Sequence, residues 1–291
     1  MIDLHIHSTY SDGAFSPKQL LSMAEQLKLD CISITDHNSV DAHVEIREQK
    51  LNNLFGGKIL TGVELTTNYM GETIEILGYN IDVDIMKSML DKRESADKLK
   101  QKEYELIYNK YTSIGLKLDE TDIVFDPNKA PIRNTFLKAI TKYSENDKFF
   151  TTLKSKTEIQ SFFRNELYNP NSLLYVDYSP LFPTLAETID SIHKAGGVAF
   201  LAHTFVYTKN IINNIDNLLD SYAIDGLECY YSTFTEEQTA QLLEVCKNRG
   251  LLICGGSDFH GPVKQEIKLG KGKGNLNISN KSCSKLINLI A

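Results

Sequence analysis

The stretch IDLHIHS, residues 2–8, decides how this chain is read. It is a short apolar run ending in polar residues, the pattern of a buried strand. His5 and His7 stand two apart on it, so their imidazoles share one face and can grip a single metal ion. Asp258-Phe259-His260 repeats that geometry at the end of LLICGGSDFH (251–260), where Gly255, Gly256 and Gly261 permit close backbone approach. Five more runs have the same character: CISITDH (31–37), KILTGVEL (58–65), TIEILGYN (73–80), GVAFLAHT (197–204) and DGLECYY (225–231). Three of them end on His37, Glu64 and His203, and Asp12 follows His7 in the loop SDG.

Between the first two runs, SPKQLLSMAEQLKL opens with Ser16 as N-cap and Pro17 at the first helical position, and Leu20, Leu21, Ala24 and Leu27 recur at helical spacing. Further helices are expected over 39–52, 184–195, 209–221, 235–249 and 280–290. Strands alternating with helices predict an α/β fold with a parallel sheet, open or closed into a barrel. From residue 84 to 175 that rhythm breaks. MKSMLDKRESADKLKQKEYELIYNKY is a charged helical run, followed by DPNKAPIR and a second helical run ending near LYNP. The expected division is a barrel of residues 1–83 and 176–291, with a mainly helical insertion, 84–175, capping it. In parallel α/β folds ligands bind beyond the carboxyl ends of the strands, where the ionisable residues of this chain lie.

Each of those residues has an ordinary structural reading. An isolated strand-end His or Asp caps a helix or satisfies a loop; Asp12 could be a turn residue and Glu64 a capping carboxylate. Convergence at the strand ends favours metal ligation instead. His43 and His193 fall in expected helices and are assigned structural roles. Five cysteines, odd in number and without a CxxC pair, read as buried thiols. Of the 291 residues 42% are hydrophobic and 24% charged, ordinary for a globular chain, and the net charge of −7 argues against generic nucleic-acid binding. It leaves room for a small phosphorylated substrate drawn in by bound metal. No apolar run approaches a membrane span, and MIDLHIHS lacks the features of a signal peptide, so a cytoplasmic location without membrane contact is expected.

Together DLHIHSTYSDG, ITDHN, TGVEL, the AHT after GGVAFL, and GGSDFHG resemble the motifs of the PHP (polymerase and histidinol phosphatase) family, in the family's order over residues 2–261. The resemblance implies a distorted (β/α)7 barrel with a two- or three-metal site at its C-terminal face. It implies that His5, His7, Glu64 and Asp258 hold one ion and that Glu64 bridges to a second, completed by His203 and a fourth-strand residue. Asp12, His37 and His260 would hold a third. At the fourth-strand position many relatives carry His before an ILGY-like run; here it is Glu75, on a run whose alternation turns it toward a barrel interior. Mixed imidazole and carboxylate ligands suit manganese, iron and zinc, and the resemblance favours manganese.

Charge points to a phosphate ester. Asp12, Glu64, Glu75 and Asp258 contribute four negative charges against six positive from three divalent ions, an excess that suits a bound phosphate. The expected chemistry is attack on phosphorus by metal-activated hydroxide, with Asp258 among the catalytic residues and His203 or Asp12 among the candidates to protonate the leaving group. The insertion followed by AGGVAFLAH resembles the subgroup acting on nucleotides, including nucleoside 3′,5′-bisphosphate and 5′-nucleotide phosphatases. Its GRPH-like motif corresponds here to PIRNTF, which makes Arg133 the candidate phosphate clamp. Thr135 replaces the His of that motif, and Thr204 replaces the Pro of the usual AHP. The alternatives are a histidinol-phosphate phosphatase, a 5′–3′ exonuclease on short oligonucleotides, and a non-catalytic metal-binding module. Phe205, Tyr230 and Tyr231 read as core or rim packing near the pocket, and Lys264, Lys268, Lys271 and Lys273 as a solvated loop.

Overall fold

Strand β1 (Ile2–Ile6) packs Ile2, Leu4 and Ile6 into apolar clusters and turns Asp3 and His5 to the opposite face, so it is buried on both sides. The computed structural model describes residues 1–94, 96–126, 132–207 and 209–289. The chain divides into two compact units, Met1–Thr66 with Ile74–Lys92 and Leu185–Ala291, and Thr67–Thr73 with Arg93–Thr184.

In the first unit β1 pairs in parallel with β2 (Cys31–Ile34), and β2 with β3 (Lys58–Ile59). A second sheet runs in the order β4 (Gly62–Tyr69), β5 (Glu72–Tyr79), β6 (Val198–Leu201), β7 (Gly226–Tyr231) and β8 (Leu252–Gly256). Every one of the seven expected runs contains a strand. KILTGVEL contains two, because the chain leaves β2 at Leu60-Thr61 and β4 then takes β5 as its neighbour. Met70 and Gly71, both left-handed, make the two-residue turn between β4 and β5.

The expectation of a parallel sheet is corrected at two places: the two-residue turn makes β4 and β5 an antiparallel hairpin, and β5 and β6 are antiparallel, the chain between them passing through the second unit. The fold is mixed α/β. Among the described residues, continuous strand pairing does not close the two sheets into a seven-stranded barrel. Single bridges join them instead, Ile6 to Phe259 and His37 to Glu64, and both lie at expected ligands.

Helix α1 (Pro17–Gln26) starts where expected, on a capping box between Ser16 and Gln19. The 39–52 region divides into α2 (Asp41–Glu48) and a 3₁₀ turn, and α3 (Val83–Leu90) groups with the first unit. In the second unit α4 (Ala96–Ser113), α5 (Ile132–Thr141), α6 (Leu153–Thr157) and α7 (Ile159–Phe162) surround a core that includes Ile107, Tyr111, Phe136, Ile140 and Phe162. Residues 127–131 of the expected DPNKAPIR connection lie outside the described residues. The first unit continues with α8 (Leu185–Lys194), α9 (Lys209–Asn213), α10 (Ile215–Ser221), α11 (Glu236–Arg249) and α12 (Ser284–Ile287). No helix is long and apolar enough to cross a membrane among the described residues. All five cysteines are buried and free.

Candidate metal centre

Two buried aspartates that are not themselves among the expected ligands shape the ligand loops. Asp36 accepts hydrogen bonds from the Ser8 backbone N–H (2.7 Å), Ser8 Oγ (2.6 Å) and Ser11 Oγ (2.5 Å), which folds the chain after His7 back so that Asp12 returns to it. Asp3 does the same at the other end, accepting from the Ser257 N–H (2.8 Å), Ser257 Oγ (2.5 Å) and the Gly270 N–H (2.7 Å). Burial pushes the Asp3 carboxyl up to about 6 against those bonds. Two glycines complete the fit by close approach. A Cβ on Gly13 would stand 2.2 Å from the His7 carbonyl oxygen, and one on Gly256 2.3 Å from the His5 nitrogen.

The nine expected ligands meet in the first unit. Glu64 is the hub, its side chain only 1% exposed: Oε2 lies 3.2 Å from His5 Nε2, His7 Nε2 and His37 Nδ1, and Oε1 lies 3.1 Å from His203 Nε2. Asp258 Oδ1 is 3.3 Å from His7 Nε2, 3.7 Å from His5 Nε2 and 3.3 Å from His260 Nδ1. Asp12 reaches His260 Nε2 at 3.1 Å, His7 Nδ1 at 3.6 Å and His37 Nε2 at 3.8 Å. Glu75 spans His37 Nδ1 (3.3 Å) and His203 Nε2 (3.1 Å). Two ligands bound about 2.1 Å from one tetrahedral ion stand about 3.4 Å apart, the separation seen throughout this cluster. Among the described residues, three groups of donors are compact enough for one ion each: His7, Asp12, His37 and His260; His5, His7 and Glu64; and His37, Glu64 and Glu75.

The electrostatics call for cations. Glu64 Oε2 and His203 Nδ1 are buried without a hydrogen-bond partner among the described residues. Burial opposes charge on His5, His7 and His203, yet the carboxylates prevail. Glu64, Glu228 and Asp258 hold His5 well above its ordinary value, Asp258 and Glu64 raise His7 to about 9, and Glu64 and Glu75 raise His203 to about 10. The imidazoles in turn hold Glu64 and Asp258 well below the usual carboxylate range despite burial. A set of nitrogen and oxygen donors with that much negative potential, and with ligand-like spacing, fits divalent metal ions.

Several neighbours escaped the sequence reading. Glu228 on β7 is fully buried; its Oε1 lies 2.9 Å from His5 Nδ1 and its Oε2 accepts the His203 N–H at 2.7 Å. Lys264, expected in a solvated loop, instead places Nζ 2.5 Å from Asp258 Oδ2, and the Tyr231 hydroxyl donates to the same oxygen at 2.7 Å. Phe205 packs edge-on against Phe234, and Tyr230 packs against the core behind β1. His43 is buried with Nε2 2.8 Å from the Ile34 carbonyl, and His193 pairs with Asp225 at 2.7 Å, outside the cluster. Arg133 lies on α5 of the second unit. Its guanidinium bonds the Tyr168 hydroxyl, approaches Glu103 at 3.6 Å and stands over the Phe163 ring.

Comparison with known proteins gives a consistent picture. The family model for the PHP domain matches residues 3–287. A 5′-3′ exoribonuclease of Haemophilus influenzae is 29% identical, over 92% of this chain and 93% of that protein. A 3′,5′-nucleoside bisphosphate phosphatase of Chromobacterium violaceum is 25% identical, over 90% and 87%. Among solved structures, a Bifidobacterium adolescentis protein assigned as a metal-dependent phosphoesterase superposes with a TM-score of 0.63 at 21% identity, covering 99% of this chain and 95% of that one.

Proposed function

The chain belongs to the PHP-domain family of metal-dependent phosphoesterases, and from that premise we propose that it hydrolyses phosphate esters of nucleotides or sugar phosphates in the cytoplasm, with manganese as its metal. The observation that carries the reading is the gathering of five imidazoles and four carboxylates at ligand spacing around Glu64. His5, His7, Glu64 and Asp258 would hold one ion, Glu64, Glu75 and His203 a second, and Asp12, His37 and His260 a third, with His7 Nδ1 3.6 Å from Asp12 of this last group. The two bridged sheets act as one distorted barrel whose strand ends present these side chains. Bound divalent ions supply the Lewis acidity that makes water nucleophilic near neutral pH and balances charge on phosphoryl oxygens.

The protein's own groups do the rest. Asp258 is fixed in orientation through Oδ2 by Tyr231 and Lys264, so Oδ1 faces the imidazoles. Asp12, with its side chain 55% exposed, is the solvent-facing candidate to pass a proton to a leaving oxygen, although His260, His37 and His7 hold its carboxyl ionised against partial burial, which favours its role as a ligand. His203 is the alternative proton carrier through Nδ1, the ring nitrogen left over when Nε2 faces Glu64 and Glu75. Arg133 is the proposed phosphate contact, since a guanidinium engages phosphate through two parallel hydrogen bonds.

A second reading, stepwise cleavage from the 5′ end of short oligoribonucleotides, is favoured by the 29% identity to an exoribonuclease over nearly the whole chain. One panel separates the two. Phosphate and nucleotide release would be measured with manganese from nucleoside bisphosphate, mononucleotide, cyclic phosphate, sugar phosphate, histidinol phosphate and 5′-phosphorylated oligoribonucleotide. Preference for the oligonucleotide, with affinity falling steeply in salt, selects the exonuclease. Hydrolysis of none of them by protein loaded with manganese, iron or zinc refutes both.

A further inference from the structure

Glu228 is a fully buried carboxylate whose two oxygens serve two different expected ligands. Its placement depends on an irregularity in β7. Glu228 pairs with Cys254 and Tyr230 with Gly255, so two residues of β7 advance against one of β8 and Cys229 is the extra one, a β-bulge. Strict alternation would send Glu228 and Tyr231, three residues apart, to opposite faces. The bulge re-aims the strand so that both reach the cluster, Glu228 at His5 and His203, and Tyr231 at Asp258.

We propose that Glu228 is a positioning residue that sets two metal positions at once, fixing the His5 ring through Nδ1 and the His203 backbone through its N–H. This rests on the ligand set above. At His5, a carboxylate facing Nδ1 holds a ring proton there, so that Nε2, which faces His7, Glu64 and Asp258, is the nitrogen that gives up its proton to ligate. At His203, the backbone is left-handed (φ 23°, ψ 52°), a strained conformation for a non-glycine residue that persists only when neighbours enforce it. The 2.7 Å bond from its N–H to Glu228 Oε2 is such an enforcement, and it points Nε2 between Glu64 and Glu75. Neither arm can be replaced by a neutral isostere. A glutamine at 228 presents one oxygen and one NH2; turned one way it donates to His5 Nδ1 and drives the proton onto Nε2, turned the other way it confronts the His203 N–H with a second donor.

The test is calorimetric titration of the full, chelator-stripped chain with zinc, comparing wild type and Glu228→Gln, with melting of the zinc-free proteins as the control for folding. The expected result is a loss of at least tenfold in zinc affinity together with loss of one bound ion. A second measurement needs no variant: long-range ¹H–¹⁵N correlation on zinc-loaded wild type should find the His5 proton on Nδ1. Zinc binding by Glu228→Gln equal to wild type, or a bare His5 Nδ1 in the loaded protein, overturns the proposal while leaving the ligand set standing. Failure of wild type to bind zinc overturns the ligand set and the proposal together.

Discussion

Loading the centre with metal should be inseparable from emptying it of protons. In the ion-free protein the carboxylates hold His7 at about 9 and His203 at about 10, so both rings are protonated at pH 7.5 and neither can ligate until its proton leaves. Loading should therefore release at least two protons per chain at that pH, with His5, likewise held well above its ordinary value, adding to the count, and affinity should gain about tenfold per pH unit for each proton displaced, up to about pH 9. The same shift sets the stability of the ion-free form. Raising His7 from 6.5 to about 9 corresponds to about 3 kcal/mol. Because the folded values are raised, that stabilisation is complete below pH 6.5 and is lost as pH climbs through 9 and then 10. The ion-free protein should thus melt lower at pH 9.5 than at 6.5, while the increment in Tm produced by manganese grows across the lower part of that range. Titration with manganese in buffers of equal pH but different ionisation enthalpy counts the protons directly. A slope near zero, or an affinity unchanged between pH 6.5 and 8.5, would refute the reading of these imidazoles as ligands held by carboxylates.

Asp258→Asn should lower metal affinity or turnover by at least about tenfold with the fold retained, since the side chain is held by Tyr231, Lys264 and imidazoles rather than by apolar packing. Wild-type turnover at full metal occupancy would contradict the assignment. Arg133→Ala should reduce kcat/KM by roughly 10- to 150-fold, the worth of a charge-assisted phosphate contact of about 1.5–3 kcal/mol, with metal content unchanged. If only Tm moves, the contacts to Tyr168, Glu103 and Phe163 are its whole role. Glu75→Ala should cost one bound ion in elemental analysis, and Glu75→His should keep activity while changing which metal supports it best. Full occupancy in the alanine variant would remove Glu75 from the ligand set.

What could be read from the sequence was what obeys a local period. The HxH of β1, the strand-end His37, Glu64 and His203, and Asp258 with His260 follow from alternation and from strands ending where chemistry sits, and the structure gathers all of them. Alternation also aimed Glu75 inward, and it stands between His37 and His203. Glu228 was invisible for the opposite reason. On β7 it looks like one acid in an apolar run, and only the bulge at Cys229, set by the neighbouring strand, turns it and Tyr231 to the same side. Asp3 and Asp36 were passed over because their partners, Ser257 and Ser8, are remote in sequence. Lys264 read as a loop charge, since nothing in the sequence shows the chain doubling back after His260 to reach Asp258. The antiparallel β5–β6 pair was likewise hidden, because the relative direction of two strands cannot be read from the sequence when the chain between them leaves through a second unit.

The two glycines pressed against β1 enlarge the target that random mutation presents. A methyl group at Gly256 would stand 2.3 Å from the His5 nitrogen, and one at Gly13 2.2 Å from the His7 carbonyl. Neither residue offers a donor atom to an ion, yet alanine at either position must displace the backbone that carries the HxH pair, at the seam where Ile6 bridges to Phe259. A saturation library screened for hydrolysis should therefore show intolerance at these glycines equal to that at the histidines. Inactive variants there would be rescued by no excess of metal, because the defect lies in the spacing of the donors rather than in their number.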